Sequence, residues 1–245
     1  MDNDQMQGYK NWFANYVAVY TSGREECMMV KDEHTRRVCQ NIVTLAKDLQ
    51  LSLPDQYLAE TIALFHDLGR FEQYKKYGTF NDSISENHSL LAVNILREFN
   101  VLKDLKSSEQ DFIFRCILNH NRYKIFEPDS ERTVLFSKLI RDADKIDIYR
   151  VLADFYQDPQ NHSSVLNLNM PDNHEYSAEI MEALLNERIA ELQFAKTTTD
   201  FKLLQMSWVY DLNFIMSFQL IEQQCNLLRI MNSLPGCDDM TRLKK

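Results

Sequence analysis

Four histidines stand at the margins of apolar helical stripes, and that recurrence constrains the fold more than any other feature of this sequence. His34 falls inside the series Val30, Val38, Ile42 and Leu49, and His66 follows the apolar segment Leu58 to Phe65. His88 opens the stripe Leu91, Ala92, Ile95, Leu96 and Phe99, while His120 closes Phe112, Ile113, Cys116 and Ile117. Steps of three and four residues place such positions on one helix face. Asp144 lies one turn beyond Phe136 and Ile140, where the pattern asks for a hydrophobe, and a carboxylate there needs a partner. The series His34, His66-Asp67, His88, His120, Asp144 advances by 32, 21, 32 and 24 residues. Intervals of that size supply one donor per helix, each delivered to a common centre.

Composition agrees with a helical chain. Gly and Pro contribute only 5 residues each across 245, Leu, Glu, Lys, Gln and Met are frequent, and alternating β-branched runs are scarce. The sequence therefore predicts an all-α fold with little or no sheet. A formal charge of −9 argues against a general nucleic-acid surface, which needs a basic stripe to displace counterions. Five cysteines without a CxxC pair read as reduced, buried thiols. The polar start MDNDQMQGYK has no signal-peptide core, and no apolar run approaches the ~20 residues that span a bilayer, so the reading is a cytoplasmic protein with no membrane partner.

Along the chain, Tyr9, Trp12, Phe13, Tyr16, Val17 and Tyr20 predict a first helix, and a second is expected from about residue 24 to 49. Ser52 with Pro54 opens the helix that ends at His66-Asp67, and Gly69 offers the left-handed residue of a helix C-terminus. Residues 70–82 read as a basic, aromatic connection, and Ser83-x-x-Glu86 and Ser108-x-x-Asp111 read as capping boxes for the next two helices. A helix from about Thr133 carries Asp144, with Asp142 and Asp147 as competitors if the register shifts. The polar stretch 157–177 is a boundary or a lid, and its His162 and His174 read as solvated. Beyond it, one helix is expected over 178–196 and a longer one over 201–233, with Leu204, Trp208, Leu212, Ile215, Phe218 and Cys225 on one stripe; Trp208 and Phe214 are candidate dimer contacts for a homo-oligomer.

Neutral imidazoles and ionised carboxylates without thiolates suit a divalent ion, Mn, Fe, Co, Ni or Zn, with Mg also compatible. Six donors, His34, His66, Asp67, His88, His120 and Asp144, exceed what one open catalytic ion needs, which points to two ions with Asp67 between them. Such a pair suits in-line attack on a phosphoryl group. That chemistry also needs cations away from the metals. Arg70 leads, Lys145 follows as a catalytic candidate, and Lys75, Lys76 and Arg37 are substrate-binding candidates; Asp147 is placed to orient a ligand.

The series, closed by Asp144-Lys145-Ile146-Asp147, resembles the HD-domain superfamily of metal-dependent phosphohydrolases over roughly residues 27–155. The resemblance implies an HD-type helical bundle in which His34, the His66-Asp67 doublet and Asp144 bind one metal, while His88 and His120 serve a second. HDLGR is similar to the HDIGK of cyclic-dinucleotide phosphodiesterases, where the basic residue meets phosphate, and Arg70 takes that role by resemblance. The expected organisation is a single helical domain over 1–245, an HD core with C-terminal helices at about 178–233 packed on it. The expected function is hydrolysis of a phosphoester of a nucleotide or related small phosphorylated molecule. Two alternatives stay open, an HD-type di-iron oxygenase and a catalytically silent nucleotide-binding module.

Overall fold

Four of the described α-helices begin where a side chain accepts from their first unpaired N–H groups, at Asp2, Ser52, Asn87 and Thr197. A computed structural model describes residues 1–23, 25–126, 130–157 and 170–236, and all regular structure among them is helical. The chain divides into two compact units, Met1–Asp147 and Ile148–Lys245.

In the first unit, α1 (Asn3–Thr21) starts from a capping box between Asp2 and Gln5 and buries Met6, Tyr9, Phe13 and Val17. Helix α2 (Glu26–Asp48) buries His34 together with Val38, Ile42 and Leu45. Arg24, near its expected start, lies outside the described residues. The Ser52 side chain accepts from the Asp55 N–H to cap α3 (Leu53–Phe65), as the sequence indicates, and α3 packs on α2 and α1. Apolar contacts among Phe13, Phe65, Phe71, Ile42 and Leu45 fill the core, each side chain contributing roughly 1.5–3 kcal/mol by leaving water.

The junction after α3 differs from expectation in two respects. Gly69 does not end a helix in the left-handed region; it is the first residue of α4 (Gly69–Tyr77). It is small because α5 (His88–Glu98) crosses directly over it: a Cβ there would stand 2.1 Å from His88 O and 2.7 Å from Ala92 N. The left-handed residue is instead Gly78, at φ 65°, which terminates α4. Most of the predicted 70–82 connection is therefore helix, anchored by the buried Phe71 and Gln73.

Both capping boxes are also displaced. Ser83 lies in a single 3-10 turn, Asp82–Ile84, and Asn87 caps α5 by accepting from Leu90 N–H, while Glu86 pairs with Lys76. Helix α6 (Ser107–His120) begins one residue before Ser108 and has no side-chain cap. Helix α7 (Glu131–Gln157) starts slightly earlier than Thr133, whose N–H is bonded by Ser130 Oγ.

Among its described residues the second unit contains the end of α7 and four short helices, α8 (Ala178–Leu185), α9 (Thr198–Ser207), α10 (Ile215–Gln224) and α11 (Asn226–Asn232). The two long helices expected here are broken. After α8 the backbone turns through Glu187 at φ 54°, and buried Asp200 gathers Ser177 N–H, Ser177 Oγ and Lys196 N–H, holding the intervening chain out of a helix. Between α9 and α10 a 3-10 turn, Trp208–Asp211, resets the phase, so Ile215 and Phe218 are exposed rather than continuing the stripe of Leu204. Cys225, left-handed at φ 54°, then separates α10 from α11. Trp208 and Phe214 are half-buried. Residues 158–169, including His162, lie outside the described residues, and His174 is exposed.

Candidate metal centre

Each of the four histidines comes from a different helical position of the first unit and is buried: His34 on α2, His66 just past α3, His88 at the start of α5 and His120 at the end of α6. Their Nδ1 atoms all face acceptors. His34 Nδ1 lies 2.7 Å from Asp147 Oδ2 and His88 Nδ1 2.7 Å from Asp82 Oδ2, while His66 and His120 reach the carbonyls of Ala63 and Ile117, three residues back, at 2.7 and 2.6 Å. A carbonyl or an ionised carboxylate only accepts, so each Nδ1 carries a proton and each ring turns its Nε2 to the centre.

Two carboxylates meet those nitrogens. Asp144 Oδ1 lies 3.1 Å from His34 Nε2 and 3.6 Å from His66 Nε2. Asp67 stands between the two pairs of rings: Oδ2 is 3.7 and 3.8 Å from His34 and His66 Nε2, and Oδ1 is 3.3 and 3.8 Å from His88 and His120 Nε2. His88 and His120 Nε2 are themselves 3.0 Å apart. Ligand atoms about 2.1 Å from one ion are separated by about 3.0–3.4 Å at octahedral or tetrahedral angles, which the spacings of 3.0, 3.1 and 3.3 Å match and those of 3.6–3.8 Å slightly exceed. The buried Nε2 atoms of His34 and His66 have no hydrogen-bond partner, which is costly unless a cation meets their lone pairs. Two groups, His34–His66–Asp144 and His66–Asp67–His120, have ligand atoms within 4.8 Å of one another.

The electrostatics divide the centre. Burial opposes charge on His34, but the carboxylates of Asp144 and Asp147 outweigh it and raise the pKa from 6.5 to about 9. His88 is pushed the other way, to about 3, by burial and then by the Arg70 guanidinium, and burial also lowers His120. Against the same burial, Lys31 and His66 hold Asp67 far below the usual carboxylate range, and His34 and His66 do so for Asp144.

A family model, the HD domain, matches residues 32–149. Over those residues the chain is consistent with membership of the HD-domain superfamily. Its all-α architecture is that of the fold described above, HD domains are mostly metal-dependent hydrolases, and the His/Asp clusters here are of a kind that could hold a divalent ion. No curated protein and no solved structure matches the chain.

Around the six candidate donors, the first unit employs its cations in ways the sequence did not announce. Arg37 holds Asp147 through Nε at 2.5 Å and a terminal nitrogen at 3.1 Å, and so supports the carboxylate behind His34. Arg70 bonds Asp82 and Gln73, each at 2.9 Å, and the Phe80 carbonyl, with its Nε 3.5 Å from Asp67 Oδ1. Lys75 lies over the Tyr20 ring and Lys76 pairs with Glu86, both exposed on the last turn of α4. Lys145 is half-buried beside Asp144, and Asp142 is fully buried.

Three supports escaped the sequence reading. Asp82, in the turn before α5, joins His88, Arg70, Gln73 and Asn121. Arg141 on α7 donates to the carbonyls of Asn119, His120 and Arg122, fixing the helix end that delivers His120. Lys31, one turn before His34, places Nζ 2.7 Å from Asp67 Oδ2. Only the helical spacing of Lys31 to His34 hinted at the last of these.

Proposed function

We propose that the chain is a metal-dependent phosphohydrolase that cleaves a phosphoester of a nucleotide or a related small phosphorylated molecule, using two divalent ions that share Asp67. His34, His66 and Asp144 with one oxygen of Asp67 would hold one ion, and His88 and His120 with the other oxygen the second. The reading is carried by the second pair. Both rings are neutral, both protonate Nδ1, and their bare Nε2 atoms face each other at 3.0 Å beside an ionised carboxylate. Three lone-pair donors so close repel one another unless a cation lies among them. The absence of thiolate from the set favours Mn, Fe, Co, Ni or Zn at a catalytic rather than a structural site.

Divalent ions in such a site supply hydroxide near neutral pH by lowering the pKa of bound water, and they polarise phosphoryl oxygens. The chain's own part is orientation and charge. Asp147 and Asp82 keep His34 and His88 in the tautomer that presents Nε2, and the Ala63 and Ile117 carbonyls do the same for His66 and His120. Arg70, in contact with Asp67 and with a buried Nε that has no hydrogen-bond partner, stabilises charge developing on the phosphoryl oxygens, seconded by Lys145 beside Asp144.

Protein loaded separately with Mn, Co, Ni and Mg and screened against phosphorylated metabolites should hydrolyse at least one of them, releasing inorganic phosphate from a monoester or a monoester from a diester. Replacing His66 and Asp67 together with Ala should abolish metal uptake and turnover; turnover that survives refutes the reading.

A further inference from the structure

Among the described residues, Lys31 is the one cation in direct contact with the carboxylate of Asp67 that takes no part in supporting a histidine. Its Nζ sits 2.7 Å from Asp67 Oδ2, and its side chain remains partly open to solvent. The same ammonium lies 5.6 Å from the centroid of the Phe80 ring, and the Arg70 guanidinium lies 5.9 Å from that ring. Lys31 and Arg70 thus address the two oxygens of Asp67 and share Phe80 as an aromatic rest.

The charges around the donors show what such an arrangement needs. Asp147 is matched by Arg37 and Asp82 by Arg70, so both supporting pairs cancel. The neutral imidazoles add nothing, leaving Asp67 and Asp144 as two negative charges. With two divalent ions in place these carboxylates are outweighed by two, and Lys31 makes the excess three. An ammonium beside an oversupplied cation site adds nothing as a counter-charge, but it is a good point-charge partner for a phosphate oxygen. A phosphomonoester carries about −1.5 to −2 charge near neutral pH, whereas a diester carries only one negative charge.

We propose that Lys31 is a substrate-binding residue that leaves Asp67 to hold the terminal phosphate of a phosphomonoester, making monoesters rather than diesters the substrate class. This rests on the two-ion reading above, and its test reads binding rather than turnover. The full-length chain loaded with Mn is titrated with inorganic phosphate and with dimethyl phosphate by calorimetry, for the wild type, K31M and K31R. Wild-type protein should bind phosphate more tightly than dimethyl phosphate. K31M should weaken phosphate binding about tenfold or more, K31R should restore most of it, and dimethyl phosphate should be little affected. Because a positive charge has left Asp67, K31M should also take up Mn severalfold more tightly in competition with a chelator. Phosphate binding unchanged in a folded K31M that still takes up Mn overturns the proposal and leaves the metal reading standing, as does a wild type that binds both probes equally. A wild-type chain that takes up no Mn brings down both.

Discussion

The half of the centre built on His34 and the half built on His88 share one support and differ in charge. Both imidazoles give the Nδ1 proton to a carboxylate that an arginine holds in turn, Asp147 by Arg37 and Asp82 by Arg70. What faces Nε2 is different. His34 meets Asp144, and against burial the carboxylates of Asp144 and Asp147 raise its pKa to about 9; His88 meets His120, and burial and then the Arg70 guanidinium lower its pKa to about 3. The same imidazole, backed the same way, is therefore a proton-holding group in one half and a bare lone pair in the other. A similar hydrogen-bonded support does not by itself set ligand character; burial and the charges around each ring do.

Asp67 is the residue both halves use, so its removal should have the largest effect. Asp67→Ala is expected to abolish stoichiometric divalent metal binding, measured by elemental analysis after gel filtration, and to cut hydrolysis by about a thousandfold or more. Metal retained in full at either half would break the proposed sharing.

Gly69 separates the halves. The Cβ of Gly69→Ala would collide with the backbone of His88 and Ala92, so α5 must shift and carry His88 with it. The expected cost is about 1–3 kcal/mol of folding stability by chemical denaturation, together with loss of the ion at the His88 half alone. Unaltered stability would mean that the α4–α5 approach is looser than described.

Asp147→Asn and Asp82→Asn sharpen the comparison further. Each should weaken metal binding about 10–100-fold at its own half, by loosening the tautomer and orientation of His34 or His88, and leave the other half unchanged. Chelator competition on each variant measures this.

The smallest effect is in protons. In metal-stripped protein the raised pKa of His34 contributes stability that is complete below about pH 6.5 and is lost as pH rises through about 9. Metal must displace that proton, so uptake at the His34 half should tighten as pH rises toward 9 and release about one proton per ion at pH 7.5. His88 and His120 are already neutral there, so uptake at their half should release none. Calorimetry in buffers of different ionisation enthalpy reads the difference, and equal release at both halves would contradict it.

The parts of this centre that the sequence reveals are those tied to apolar periodicity. His34, His88 and His120 continue core-facing stripes of α2, α5 and α6, and Asp144 interrupts one on α7, so helical phase alone aims them at a common interior. The supports obey no such period. Asp82 lies in a polar turn where Asp is ordinary, and Lys31 falls outside the apolar stripe of α2 and looks in sequence like any solvated lysine, its partner Asp67 being 36 residues away. Gly69 reads as a helix end in sequence because close helix contact and a left-handed turn both select glycine. The breaks of the second unit were hidden for the opposite reason: Glu187 and Cys225 adopt left-handed backbone without glycine to mark them.

Anomalous diffraction at the manganese edge, on crystals of the full chain grown with Mn, is the most direct test. The account predicts two peaks on either side of Asp67, one against His34, His66 and Asp144 and the other against His88 and His120. No peak at these residues, or manganese bound elsewhere with His88 and His120 still facing each other bare, would contradict it.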